Sequence, residues 1–431
     1  MTLKRLHASD GDFQERFEAL LEERAENTGS VAPVVADIIA DVKKRGDEAV
    51  CELTQKFDNL SLTADTMRVS DAEIAAADVA CADDVKEALS LAAGRLRVFH
   101  EKQTPSDIDY TDSVGNRLGM VWNAITDIGI YVPGGKASYP SSVLHNAIPA
   151  KVAGCKRVVM VAPAQDGVIN PSVLVAAKLA GVDEIYKIGG AQAVAALAYG
   201  TDSIKPVYKI VGPGNAYVAE AKRQVFGKVG IDTIAGPSEI LVVADSQNDP
   251  RWIAADLLSQ AEHDEGAQSI LITDDADFAD TVDAAIDDML KDLSRKEIAS
   301  ASIEKYGLCF VVSNINDAIP LINNIAPEHL ELAVENPRKM AASIYNAGAI
   351  FLGRHTPEAV GDYVAGPSHV LPTTQAARYS SGLSVYDFIK KSSLIECNKA
   401  GFLHLSQATA TLADNEGLTA HALSVRVRMD D

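Results

Sequence analysis

Two side chains able to bind a metal ion lie three residues apart near the end of a predicted helix. Asp249 and Pro250 predict the start of this helix, as its N-cap and first helical residue, and Gly266 is a plausible end. On a helix, Gln260 and His263 leave the same face, one turn apart. An imidazole nitrogen and an amide oxygen can both bind a divalent metal. The pair supplies only half of a metal site, so this segment alone favours an ordinary capped amphipathic helix.

Further chemically active residues follow toward the C-terminus. Glu328 precedes His329, and two adjacent titratable groups can divide the base work of a two-stage reaction. Asp362 stands in a glycine-flanked turn, and Glu416 and His421 lie five residues apart in a predicted final helix. Taken singly, these features are more typical of a protein surface or an ordinary helix than of a site.

Three predicted strand-to-helix turns are rich in glycine and lie at residues 131–135, 188–192 and 210–215. Glycines at the carboxyl ends of parallel strands let backbone amides approach a nucleotide phosphate at a helix N-terminus. None of the three has the Gly-x-Gly-x-x-Gly spacing, and no Walker-type Gly-Lys-Ser/Thr is present. Glycine content alone is therefore equally compatible with ordinary tight turns.

The composition limits the classes of protein to consider. A net charge of −21 over 431 residues disfavours nucleic acid or an anionic membrane as a partner. The five cysteines are widely spaced with no Cys-x-x-Cys, which is typical of reduced thiols in the cytoplasm. The first residues lack the apolar core of a secretory signal, and no apolar run is long enough to span a bilayer. We expect a soluble cytoplasmic protein of two or three domains.

The elements that must position these residues follow an alternating pattern. Short apolar strands alternate with helices from Tyr131 onward, and a second alternating series begins at Glu239. Such alternation predicts βαβ units and parallel sheets. The flanking segments are mostly helical in pattern, and no strand is evident before about Leu118. We predict an α/β fold with two Rossmann-like parallel-sheet domains and small helical N- and C-terminal extensions.

Longer motifs occur in one order along nearly the whole chain, from about Val31 to Val427. On these motifs the chain closely resembles histidinol dehydrogenase, the enzyme family of the last two steps of histidine biosynthesis. Several long motifs in one order are highly specific. The motifs are Tyr131-Val-Pro-Gly-Gly, Gly189-Gly-Ala-Gln-Ala, Val211-Gly-Pro-Gly-Asn, Ala235-Gly-Pro-Ser-Glu, Ser259-Gln-Ala-Glu-His-Asp, Pro327-Glu-His-Leu-Glu, Gly361-Asp-Tyr, His369-Val-Leu-Pro-Thr and Ser381-Gly-Leu-Ser-Val.

The resemblance implies a role for each chemically active residue. It implies one zinc ion per subunit, held by Gln260, His263, Asp362 and His421. It implies NAD contacts from Tyr131, Gln192 and Asn215, and catalytic bases at Glu328 and His329. It implies substrate contacts from Ser238, Gln260, His263, His329, Asp362, Glu416 and His421. The implied reaction is oxidation of L-histidinol to L-histidine, through L-histidinaldehyde, with two molecules of NAD.

The resemblance also implies an assembly and a division into domains. The family is a homodimer with interwoven C-terminal tails, so the tail should contribute to the active site, most simply that of the partner subunit. The implied units are an N-terminal helical extension (1–28), a catalytic and metal-binding domain (29–130 plus 237–382), an NAD-binding domain (131–236) and a C-terminal helical tail (383–431). No nucleic acid or membrane partner is expected.

Two positions depart from the family pattern. His145 stands where an apolar residue such as Met is expected, and Ser368 stands where Asn is usual. Neither is an implied ligand. The departures therefore put local packing in question rather than the reaction.

Three other readings remain open at this point. One is a related zinc- and NAD-dependent dehydrogenase of another small alcohol, although Glu416 and His421 argue for histidinol. Another is a metal-dependent hydrolase, in which Glu328 or Glu262 activates a zinc-bound water and the glycine turns are only turns. A non-catalytic metal-binding protein would be expected to lack at least one of the role residues, and none is missing.

Overall fold

The computed structural model describes residues 2–25, 31–134, 139–234 and 236–429, without the side chains of 22–25. The motif residues Gly135 and Ala235, and the predicted boundary between residues 28 and 29, lie outside the described residues. Over the described ranges, every helix is too short or too polar to cross a lipid bilayer.

The elements alternate as the sequence predicts. In chain order they are β1 (Lys4–His7), α1 (Phe13–Ala25), α2 (Ala32–Arg45), α3 (Asp47–Asp58), α4 (Asp71–Ala80), α5 (Asp83–Glu101), β2 (Ile108–Thr111), β3 (Arg117–Ala124), β4 (Asp127–Tyr131), α6 (Pro140–Val152), β5 (Arg157–Val161), α7 (Pro171–Ala180), β6 (Glu184–Tyr186), α8 (Gly190–Tyr199), β7 (Lys209–Val211), α9 (Ala216–Val225), β8 (Gly230–Ile231), β9 (Glu239–Ala244), α10 (Pro250–Ala261), β10 (Gln268–Thr273), α11 (Ala276–Met289), α12 (Lys296–Tyr306), β11 (Leu308–Val311), α13 (Ala318–Ile325), β12 (His329–Ala333), α14 (Pro337–Ala341), β13 (Ala349–Leu352), α15 (Glu358–Tyr363), β14 (Ile389–Glu396), α16 (Lys399–Asn415) and α17 (Thr419–Arg426).

The first parallel sheet has five strands in the order β6-β5-β4-β7-β8. The chain moves outward from β4 to β6 and then returns to the other side of β4 as β7. This reversal makes a switch point between β4 and β7, where the carboxyl ends of strands in an open α/β sheet leave a crevice for a ligand. Apolar side chains fill both faces of the sheet, as expected of parallel strands covered by helices.

The second parallel sheet has six strands in the order β1-β11-β10-β9-β12-β13. Strands β9 and β12 are neighbours in its interior, and every residue of both is buried. A side chain at the start of either strand is therefore held on both sides by paired backbone. The two parallel sheets confirm the predicted α/β fold class.

The expectation of no strand before Leu118 is wrong. Lys4–His7 forms β1, which pairs in parallel with β11 at the edge of the six-stranded sheet, and Ile108–Thr111 forms β2. The tail also contains a strand, since β14 pairs antiparallel with β3 in a separate three-stranded sheet. Both terminal segments thus contribute strands as well as helices. Short edge strands often carry charged side chains, so the apolar alternation that predicts a strand is weak in them.

The helices between residues 32 and 101 pack against the helices of the five-stranded sheet and share its core. The sequence pattern of an amphipathic helix shows which of its faces is buried, but not which partner buries it. The domain boundaries themselves stay a prediction.

Candidate active site

Helix α10 begins as its sequence predicts. Asp249 is the N-cap, and its side chain accepts a hydrogen bond from the N–H of Arg251 at 2.8 Å. The helix ends at Ala261, before Gly266, but the N–H of His263 still donates to the carbonyl of Gln260 at 3.1 Å, which continues the turn. Gln260 is fully buried, whereas His263 is exposed in this chain. His263 interacts electrostatically with nearby residues of the site described next.

Glu328 and His329 are both fixed to the backbone of one residue in the neighbouring strand. The N–H of Glu239 donates to Glu328 Oε2 at 2.8 Å, and its carbonyl lies 2.9 Å from His329 Nδ1. A carbonyl can only accept, so Nδ1 carries the proton and Nε2 is the free ring nitrogen. Gly348 is needed beside this pair, because a Cβ there would lie 2.5 Å from the carbonyl oxygen of Glu328.

Asp362 lies in helix α15 rather than in the turn expected from its flanking glycine, and this helix aims two carboxylates at the free nitrogen of His329. Glu358 and Asp362 are four residues apart and so share one face of the helix. Asp362 Oδ1 lies 3.4 Å from His329 Nε2, and Glu358 Oε1 lies 3.7 Å from it. We call these three residues the His329 cluster; one ligand atom from each lies within 4.8 Å of the others. On the other side of the ring, the amide nitrogen of Gln260 is 3.4 Å from Nδ1.

Several buried polar atoms of this site have no hydrogen-bond partner. They are Gln260 Oε1, His329 Nε2 and Glu358 Oε1. An unpaired buried polar atom is costly, so a ligand or ion that pairs with these atoms would be favoured there. Nitrogen and oxygen donors of this kind fit a divalent cation such as zinc.

Burial and neighbouring charges shift the pKa values of the groups around His329 in opposite directions. Burial raises the pKa of Glu328 to about 8, although the nearby imidazole lowers it. Burial disfavours a charge on His329, but Glu328, Asp362 and Glu358 together raise the pKa of its imidazole above the usual value. Burial would raise the pKa of Asp362, yet the His329 imidazole close to it holds that pKa below the usual range. Two titratable neighbours with opposed environments are typical of acid–base sites.

A second layer of carboxylates lies beneath the His329 cluster, and the sequence did not reveal it. Glu331 accepts a hydrogen bond from the backbone N–H of Glu358 at 2.5 Å and interacts electrostatically with Asp256. Burial raises the pKa of Asp256 to about 6 and that of Glu331 well above its usual value. A local spacing signal existed, because Asp256 is four residues before Gln260 and Glu331 two residues after His329. Only the packing of three elements shows that the signal matters.

The residues implied in NAD binding lie at the carboxyl end of the five-stranded sheet. Tyr131 ends β4, and its buried hydroxyl oxygen accepts the N–H of Gly190 at 3.0 Å. Gln192 is buried in the first turn of α8, and its Nε2 has no partner. Asn215 caps α9 by accepting the N–H groups two and three residues later, at 3.0 and 3.2 Å. Three strands thus bring these side chains to one edge.

The two departures from the family pattern contact one another. His145 is fully buried and stacks on His369 with ring centroids 4.0 Å apart. The hydroxyl of Ser368 donates to the carbonyl of His145 at 3.2 Å. The backbone N–H of His369 donates to Nδ1 of His145 at 2.9 Å. The ring of His369 in turn donates to the carbonyl of Asp362 at 2.9 Å. These contacts link α6 to the loop after α15.

The remaining predicted residues are divided between the site and the tail. Ser238 immediately precedes Glu239 and so lies beside the anchor of the two bases. Glu416 follows α16 as its C-cap and His421 lies in α17, so the two do not share one final helix as predicted, and both are exposed in this chain. Helix α17 packs against α16. The structure thus brings Gln260, His329 and Asp362 together with Glu328, and it leaves the two tail residues outside the group described above.

Comparison with known proteins gives one family. The family model described as histidinol dehydrogenase matches residues 21–429. A curated "Histidinol dehydrogenase 1" from Nostoc sp. is 58% identical over 424 residues, covering 98% of each chain. The histidinol dehydrogenase of Agrobacterium fabrum is 58% identical over 425 residues, covering 99% of this chain and 98% of that one. The crystal structure of histidinol dehydrogenase from Elizabethkingia anophelis superposes with a TM-score of 0.94 at 37% identity, covering 99% of this chain and 98% of that one.

Proposed function

This chain belongs to the histidinol dehydrogenase family and is an oxidoreductase of histidine biosynthesis, and we propose that it oxidises L-histidinol to L-histidine through L-histidinaldehyde with zinc and two molecules of NAD. The observation that carries the proposal is the Glu328–His329 pair, which is buried, anchored on one backbone residue and faced by Asp362. This arrangement provides two separate bases for two oxidation steps.

The proposed zinc ligands are Gln260, His263, Asp362 and His421. The unpaired buried oxygen of Gln260, whose amide nitrogen lies 3.4 Å from His329, supports a cation at this place. A set of nitrogen and oxygen ligands suits zinc. When bound, zinc would anchor the amine and imidazole nitrogens of the substrate, and NAD would accept the hydride of each oxidation. Tyr131, Gln192 and Asn215 are the proposed NAD contacts.

The first oxidation needs a base for the alcohol proton. His329 Nδ1 is committed to the carbonyl of Glu239, so Nε2 is the ring atom that takes the proton as the carbon–hydrogen bond gives up hydride. Nearby Asp362 favours the imidazolium that results, at 3.4 Å. The burial of His329 keeps bulk water from competing for Nε2. Ser238 and Glu416 complete the proposed substrate contacts.

The second oxidation needs a base for water. Glu328 is held through Oε2 by the N–H of Glu239, which leaves its other oxygen to take a proton from the water that adds to the aldehyde. The anion of the hydrated aldehyde that is left after Glu328 takes this proton then loses hydride and its remaining hydroxyl proton, which gives the carboxylate. A pKa raised to about 8 makes Glu328 a stronger base than an ordinary carboxylate.

The proposed assembly is a homodimer in which His421 completes the zinc site of the partner subunit. The tail exposes apolar side chains, among them Leu412, Leu418, Leu423 and Val427, which a second subunit would cover. The exposure of His421 in this chain, outside the group that converges on His329, supports the same arrangement. We further propose a cytoplasmic location, with no nucleic acid or membrane partner, in keeping with unpaired cysteines and a charge of −21.

Replacing His263 by Asn should lower zinc content and activity together, because a lost ligand opens the site to water and exchange. Metal analysis of the purified variant, with NADH formation measured in parallel, checks this. His145→Met is the matched control, since His145 is buried next to the site but is not a proposed ligand, and it should keep its zinc. A fully occupied zinc site in the His263 variant would refute the ligand set.

The assay that tests the proposal is NADH formation from L-histidinol. NADH should appear with L-histidinol and should disappear when the metal is stripped by a chelator. Hydrolysis of an ester or amide without NADH formation would instead favour the metal hydrolase.

A further inference from the structure

The turn that follows β7 makes an unusually close contact with the neighbouring strand. Gly212 has a φ of +109°, and a Cβ there would lie 2.1 Å from the carbonyl oxygen of Tyr131. Only glycine can therefore occupy this position. The contact lies at the switch point between β4 and β7, and the Gly212–Asn215 turn runs from it to the start of α9.

A buried ion pair holds both backbone polar groups of this glycine. Asp232, just after β8, accepts the N–H of Gly212 at 2.7 Å. Lys222, on α9, donates to the carbonyl of Gly212 at 3.0 Å. The two side chains also form a direct ion pair, with 2% and 4% of their side-chain surfaces exposed. One backbone residue is thus fixed from both sides by opposite charges.

Stability alone is a poor explanation for this pair. Removing two charges from water costs free energy that their attraction repays only with good geometry, so an apolar pair is often as stable. A buried pair with these hydrogen bonds specifies one backbone conformation. Here it holds Gly212 in the left-handed region. The turn ends at Asn215, which caps α9, and Tyr131 and the unpaired amide of Gln192 lie at the same edge of the sheet.

We propose that Lys222 and Asp232 are positioning residues for the dinucleotide, because they hold the Gly212–Asn215 turn in the conformation that NAD binding requires. The proposal rests on the NAD site proposed above. Neither residue needs to touch the nucleotide. The pair is neutral overall, so it orders the turn without adding net charge beside the phosphates.

Lys222→Met keeps most of the side-chain stem but removes the donor to Gly212 and leaves Asp232 unpaired. We expect the KM for NAD to rise by about 10-fold or more, with the KM for L-histidinol and the zinc content unchanged. The double variant Lys222→Met/Asp232→Asn should recover thermal stability, since no unpaired charge is left. Its KM for NAD should stay raised, because the carbonyl of Gly212 still lacks its donor.

The matched control is Lys151→Met. Lys151 forms an ion pair with Asp183 at 2.6 Å, at the amino-terminal ends of the strands of the same sheet. There Asp183 also accepts the N–H of Val158 near the start of β5. This variant should leave the KM for NAD unchanged. A double Lys222/Asp232 variant with a wild-type KM for NAD would overturn the proposal. A KM for NAD that follows thermal stability, raised in the single variant and restored in the double one, would overturn it too.

Asn215→Ala separates this proposal from the one on which it rests. If Asn215→Ala raises the KM for NAD and the Lys222 variants do not, the positioning role is wrong and the NAD site stands. If neither change affects the KM for NAD, the nucleotide lies elsewhere and both proposals fail.

Discussion

Replacing Glu328 by Gln should reduce oxidation of L-histidinaldehyde by ~10²–10⁴-fold, the contribution of a positioned base, while reducing oxidation of L-histidinol much less. Glutamine has the same shape, and its amide oxygen can still accept the N–H of Glu239, which Glu328 accepts at 2.8 Å. His329 keeps its own anchor on the carbonyl of the same residue. The variant thus loses the base for water and keeps the base for the alcohol.

The pH dependence of the aldehyde step provides a second readout. Burial raises the pKa of Glu328 to about 8, so the carboxylate form that acts as a base increases as pH rises toward that value. The wild-type rate of aldehyde oxidation should rise over the same interval, and the Gln variant should lose this rise. Rapid-quench assays started from each substrate measure both steps. Glu335→Gln, an exposed charge change just beyond the same strand, is the control. Equal losses in the two steps would contradict the division of labour.

The variants His421→Ala and His329→Ala should each be nearly inactive alone. When they are co-refolded in equal amounts, roughly a quarter of wild-type activity should return. With random pairing, about half of the dimers contain one chain of each kind. In such a dimer, one site combines an intact His329 from the first chain with an intact tail from the second. The other site carries both lesions. Alanine at each position removes the imidazole with little other change.

The reason to expect sharing lies in the tail itself. His421 is exposed on a helix that packs against α16, and the His329 cluster does not include it. A tail of this kind is stabilised most when a second subunit covers its exposed apolar side chains. Activity of the mixture and of each parent is measured at equal total protein, with co-refolded wild type as the reference. A mixture no more active than its parts would mean that each tail serves its own chain.

The sequence predicted the elements that carry a strong local pattern. The N-cap at Asp249 and the two alternating series were readable because capping and apolar periodicity lie within a few residues of one another. Strand β1 was missed, because Lys4–His7 is a short edge strand with two charged residues and pairs with β11, some 300 residues away. Pairing at that separation leaves no trace in a local window.

The candidate site shows the same limit. Glu328 and His329 could be singled out because they are adjacent, and the motifs around them carried the resemblance. Glu358 and Glu331 were not singled out, because Glu358 has no special pattern of its own and the spacing of Glu331 from His329 does not by itself show that it reaches the site. Their importance comes from three elements meeting: β12, α10 and α15 face one another only in the folded chain. The ion pair at Gly212 was hidden for the same reason.

The central claim is that one active site carries out two successive oxidations of one substrate. The direct measurement uses a limiting, known amount of L-histidinol with excess NAD and counts the NADH formed at completion, together with the final product. The account predicts two NADH for each L-histidinol, with L-histidine as the product. One NADH for each L-histidinol, with the aldehyde left in solution, would contradict it.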